Sequence, residues 1–256
     1  MLYQSFSPYL FRISGARSRA LASILLIGTL AFLVSFPAFG QDEEKSDDPV
    51  AVFNEAQNLQ EKGDLAGAIK LYEKALKIEP AFPEAQYQIG AAQLMLGKKD
   101  EAEKSFRLAI DLRTDWTLPM TGLGSLLIDK GQLTEAERLL VRAIGLEPLN
   151  SVALTALTEL RINSKAPSSE LEKLLTPITT LTGKGNATPA LWSARAALEN
   201  ALQKRSAAKT SILKALETDP RNRSALFLLA DIALFEGDVA RAKDLAVRIE
   251  ALSAPS

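Results

Sequence analysis

The side chains that do most enzyme chemistry at neutral pH are missing: none of the 256 residues is His or Cys. That composition excludes Ser-His-Asp and Cys-His catalysis, imidazole and thiolate metal ligation, and disulfides. A reaction here would need paired carboxylates, a Ser-Lys arrangement or a phosphate-binding loop. Ser211-Ile-Leu-Lys214 has the spacing at which a lysine amine can take a serine proton, but the companion motifs of that chemistry are absent and the stretch reads as solvated helix face. Gly183-Lys184-Gly185 is a turn without the spacing of a phosphate-binding loop. Glu101, Glu103, Glu135 and Glu137 alternate with Lys and Arg as exposed helix faces do, and no Asp-rich run has calcium-loop spacing. Asn186-Ala-Thr188 and Asn222-Arg-Ser224 match the glycan acceptor pattern, which is too common to carry weight. These residues imply no enzyme, no cofactor and no metal site. The formal net charge of −1 also argues against a nucleic-acid binder that works through bulk positive charge.

The elements that would position any site begin after an export-type segment. Arg12, Arg17 and Arg19 precede a charge-free apolar run from Ala20 to Phe36. Pro37 then breaks the helix, and Ala38-Phe39-Gly40 puts small residues where a signal peptidase must fit, so residues 1–40 read as a signal peptide cleaved before Gln41. The seventeen-residue run is also just long enough to span a bilayer as an uncleaved inner-membrane anchor. A mitochondrial presequence is a third option, since the first forty residues hold Arg and Ser but no acid. Cleaved or anchored, the positive-inside bias places the rest of the chain on the far side of the membrane, periplasmic or secreted. After residue 40 the chain carries 27 basic and 31 acidic residues, and residues 41–48 read as an acidic, disordered linker.

From Pro49 onward the chain repeats itself. Residues 63–80 (GDLAGAIKLYEKALKIEP), 97–114 (GKKDEAEKSFRLAIDLRT) and 131–148 (GQLTEAERLLVRAIGLEP) follow one another at intervals of 34 residues. They align Ala68 with Ala102 and Ala136, Tyr72 with Phe106 and Leu140, and Ala75 with Ala109 and Ala143. Gln86-x-x-Ile89-Gly90 recurs as Met120-x-x-Leu123-Gly124. Gly63, Gly97, Gly131 and Gly237 suit left-handed caps that end the first helix of a pair. Thr134-x-x-Glu137 has the form of a capping box, and Pro80, Pro148 and Pro220 stop the second helix. One such pair cannot bury its apolar face; stacked pairs can.

This pattern resembles the tetratricopeptide repeat. The resemblance implies an all-α fold, a right-handed α-solenoid of stacked helix-turn-helix pairs. Five repeats are clear, at 49–82, 83–116, 117–150, 189–222 and 223–256. A degenerate one lies at 151–188, where Pro148 and Pro220 are two periods plus four residues apart. That unit, with Pro177 in its second helix, is either a drifted repeat that still packs or a bend between two halves. The last helix carries one apolar stripe, as a terminal cap needs.

The resemblance further implies that the first helices line a concave groove that takes a protein or an extended peptide. The family's groove positions fall on Phe53, Asn54, Gln57, Tyr87, Gln88, Ala91, Met95, Thr121, Ser125 and Asp129. In later repeats they fall on Thr155, Glu159, Ser193, Phe227, Asp231, Leu234 and Phe235. Phe53, Tyr87 and Thr121 stand where the family's carboxylate clamp for chaperone tails has Lys, so no clamp is expected. Residues 224–235 are apolar nearly all round: either neighbouring helices cover Phe227, Leu234 and Phe235, or these form a partner site or homodimer contact. The expected job is an exported scaffold or adaptor in cell-envelope assembly, or else a membrane-anchored structural subunit held by residues 20–36.

Overall fold

The computed structural model describes residues 48–252, and over them it is a stack of antiparallel helix pairs with no strand. The pairs are α1 (Pro49–Glu61) with α2 (Leu65–Ile78), α3 (Pro83–Met95) with α4 (Lys99–Leu112), and α5 (Thr117–Asp129) with α6 (Leu133–Leu146). Then come α7 (Ser151–Asn163) with α8 (Ser168–Thr182), α9 (Pro189–Ala201) with α10 (Arg205–Thr218), and α11 (Arg223–Phe235) with α12 (Val239–Ala251). The apolar run 20–36, the cleavage site before Gln41 and nearly all of the acidic stretch 41–48 lie outside the described residues. No described helix is long and apolar enough to cross a membrane.

Local chemistry explains the boundaries. Asp64, Asn150, Thr188, Asn222 and Asp238 each accept a backbone N–H in the first turn of the helix they precede. The Thr134 capping box does not form. α6 starts at Leu133, so Thr134 already lies inside the helix, and Glu137 accepts from Arg161 Nε at 3.0 Å instead.

In every pair the turn is made by one left-handed residue. It is Gly63, Gly97, Gly131 and Gly237 in four pairs, with φ of 74–84°. The other two place Lys165 (φ 55°) and Gln203 (φ 62°) there, at a cost of about 1–2 kcal/mol each for a side chain bearing a Cβ. Lys165→Gly and Gln203→Gly are expected to raise the unfolding free energy, each by about 1 kcal/mol. Urea titrations of the two variants check this, and unchanged midpoints would show that the turns carry no strain.

Small residues set how closely each pair crosses. A Cβ on Gly90 would sit 2.8 Å from the Phe106 ring, and one on Gly124 would sit 2.9 Å from Leu140 Cγ. Ala68, Ala75, Ala102, Ala109, Ala136 and Ala143 are fully buried on the facing helices. In the 151–188 pair Thr158 stands at the Gly position, and Leu171 and Ile178 fill the second helix's side of the seam. The bulk holds α7 and α8 apart, so they touch along less of their length than the other pairs do. The Thr158 hydroxyl is buried without a hydrogen-bond partner among the described residues. α9 packs against both α7 and α8. α8 has 15 residues where α2, α4, α6 and α10 have 14. It also contains Pro177, which removes one backbone donor from the helix interior.

Candidate functional site: the face of the first helices

Successive first helices present one row of side chains, and the stack decides which of them reach solvent. Asn54, Met95, Asp129, Glu159, Phe227, Asp231, Leu234 and Phe235 are exposed. Gln57, Gln88, Ala91, Ser125 and Thr155 are partly exposed. Gln88 accepts from Gln60 Nε2 of the preceding pair at 3.3 Å. Asp129 takes an ion pair from Lys99 at 3.3 Å, while Glu159 and Asp231 have no ion pair among the described residues.

Phe53, Thr121 and Ser193 need correcting: they are buried, and none of them faces an open groove. All three are the fifth residue of their helix, a place that packs against the next pair. Phe53 stacks on Phe82 with ring centroids 5.0 Å apart, and Ser193 donates to Asn222 Oδ1 at 3.0 Å. Thr121 donates to its own Leu118 carbonyl at 2.9 Å. Tyr87 holds the same place and is only partly covered, wedged 5.8 Å from Phe106 and 5.1 Å from Trp116. Burial pushes its phenol pKa up from the usual tyrosine value. Phe227 is the exposed member of this series, at 53%.

Sequence alone did not point to Trp116 and its neighbours. Trp116 sits at the start of α5 with the Arg113 guanidinium 4.8 Å from its ring, and Arg113 also pairs with Glu84. Leu118 lies next to it, 37% exposed. A lone Trp in the connection between two repeats was the available signal.

An ion-pair ladder joins α4, the end of α5 and α6. Arg107 donates to Glu103 at 2.8 Å and to Glu135 at 2.5 Å, and Lys130 donates to Asp100 and Glu103 at 2.6 Å. Hydrogen bonds from Lys130 and then Arg107 hold the Glu103 carboxyl below its usual range, and Arg107 does the same to Glu135. This joins the second and third pairs across their seam, a structural role. The Ser-x-x-Lys spacing brings no such pair together. Ser211 is buried and donates to Glu199 Oε2 at 2.7 Å, while Lys214 binds Glu217 at 2.8 Å.

The row presents apolar, amide and acidic groups, with the exposed thioether of Met95 among them. Residues 57–97 match the TPR repeat model and residues 83–115 the tetratricopeptide repeat model. No curated protein matches the chain. Among solved structures, a chain of the APC/C hetero-tetramer Cut9–Hcn1 is similar over 82% of this chain, with a TM-score of 0.67 and 16% identity. The chain spans only 41% of that one. A tetratricopeptide repeat protein from Parabacteroides merdae has a TM-score of 0.64 and 19% identity, covering 82% of both chains. PilF of Pseudomonas aeruginosa has a TM-score of 0.64 and 17% identity over 82% of this chain and 94% of its own. Residues 57–115 thus match tetratricopeptide repeat models, and the stack of helix pairs is a fold shared with these solved structures.

Proposed function

We propose that the chain is an exported scaffold or adaptor that holds a protein or an extended peptide along the face of its first helices, in cell-envelope assembly. The observation that carries this is the solvent-facing row itself. Met95, 59% exposed, and Asn54, Gln57, Gln88, Ser125 and Asp129 give one apolar anchor among groups that can pair with a backbone. Lys is absent from Phe53, Tyr87 and Thr121, so a C-terminal carboxylate is not the ligand. Export rests on the Arg-flanked apolar run and the small residues before Gln41.

Met95, more open than Tyr87, is the place for a site-specific photo-crosslinker in the native cell, with Lys104 on α4 as control. A discrete adduct from Met95 alone, identified by mass, is the expected result. Equal labelling from both sites, or none from either, would sink the groove reading. The mature N-terminus separates the adaptor from a subunit anchored by residues 20–36: cleavage leaves Gln41 first, and an anchor keeps Met1 or its neighbours.

A further inference from the structure

α8 is tied into the array more loosely than any other interior second helix. Four residues (164–167) lead into it where the other pairs use three, and six (183–188) lead out where the other connections use four. With the extra residue of α8, these account for the four residues beyond two periods between Pro148 and Pro220. Its seam with α7 is the thinnest of the six pairs. Beside that seam α7 and α9 pack directly on each other, more extensively than α5 on α7 or α9 on α11. The stack therefore runs from α5 through α7 and α9 to α11 without depending on α8.

We propose that α8 is a strap that opens as a unit on its two long tethers, while α7 and α9 stay packed and both halves of the array stay folded. Two features favour the open form. Gly90 and Gly124 face the second helix of their own pair, and Thr158 holds that place in α7. Its hydroxyl is buried without a partner among the described residues, so separation lets it reach water and recover a hydrogen bond. Pro177 lacks the N–H that would bond the Lys173 carbonyl, which leaves α8 one helix bond short. Opening is opposed by Leu171, Leu174 and Ile178, all buried along α8, and by a polar latch near each end. Glu170 pairs with Arg161 of α7 at 3.2 Å, and Thr182 accepts from Arg195 of α9 at 2.8 Å. Release of both latches brings the three apolar side chains to solvent together.

The strap is independent of what the first-helix row binds. Hydrogen exchange of the protein in the form its cells accumulate, read by mass spectrometry, tests it. Amides of 168–182 are expected to exchange at least about tenfold faster than those of α6 and α10, with α7 and α9 as protected as the other first helices. Pro177→Ala, which restores the missing donor, should slow exchange in α8 alone. The chain has no cysteine, so single thiols give a second reading. Ile178→Cys should react with a thiol reagent faster than Ile212→Cys on α10, although both side chains are fully buried. Amides of α8 as protected as those of α6 overturn the proposal. So do α7 and α9 exchanging together with α8, or equal reactivity of the two thiols.

Discussion

Phe106→Ala is expected to lower the unfolding free energy by about 3–5 kcal/mol, the range for removing a fully buried aromatic ring. Phe106 is 2% exposed, and its ring fills the space left by two missing side chains, Gly90 in its own pair and Gly122 in the next. It also supports Tyr87, which leans on Trp116. Truncation therefore empties the seam within the second pair and the seam between the second and third at once. A repeat array is stable as a sum of pair and interface contributions, so losing one of each should split unfolding into two steps. The complementary change is Gly90→Ala. It gains about 1 kcal/mol of helix propensity, yet its Cβ would lie 2.8 Å from the ring and 3.3 Å from the Ala102 carbonyl, and such overpacking typically costs about 1–3 kcal/mol. Combining Gly90→Ala with Phe106→Leu should recover part of the loss, because a smaller side chain frees room for the methyl. Guanidinium titrations followed by circular dichroism measure all three variants. A Phe106→Ala protein unfolding in one step at the wild-type midpoint would mean that the ring does not couple the pairs.

Residues whose type is dictated by a neighbour inside one pair were legible in the sequence. Gly90 and Gly124 opposite Phe106 and Leu140, the row of buried Ala, and the left-handed Gly turns all repeat at 34 residues, so their spacing exposes their role. Residues whose role depends on the next pair were harder to read. Phe53, Thr121 and Ser193 share a place with the half-open Tyr87 and the open Phe227, and only the stack shows which of them a neighbour covers. Lys165 and Gln203 hide two of the six turns because they adopt a Gly conformation without being Gly. The fourth pair was legible as irregular but not as wide. Its width follows from Thr158, Leu171 and Ile178 standing where other pairs have small residues, and that sum of volumes is a three-dimensional fact.

A polar cluster that no motif announced ties this irregular pair to the C-terminal half, and Arg195→Ala should break it at high cost. Glu199 on α9 is 3% exposed and accepts from Arg195 Nε at 2.8 Å and from Ser211 Oγ of α10 at 2.7 Å. Arg195 continues to Thr182 Oγ1 at the end of α8, also at 2.8 Å, with its guanidinium 5.5 Å from the Trp192 ring. Three helices thus meet on one charge pair. Without Arg195 the carboxylate keeps a single hydroxyl for company, and a buried charge deprived of its partner destabilises by about 3–5 kcal/mol. The second pair of the array shows how little charge is required at this place: there Gln93 accepts from Ser105 Oγ at 2.9 Å with no Arg in attendance. Arg195→Ala/Glu199→Gln should therefore be markedly more stable than Arg195→Ala alone, since the amide can still accept from Ser211 and no ion is stranded. The non-additivity of that cycle, read from urea midpoints, separates the two explanations for the Arg195→Ala loss. If the rescue is absent, the loss comes from the guanidinium's packing on Trp192 and Thr182. If the rescue is large, the ion pair exists to neutralise Glu199, whose bond from Ser211 of α10 is one the second pair makes between Gln93 and Ser105 without charge.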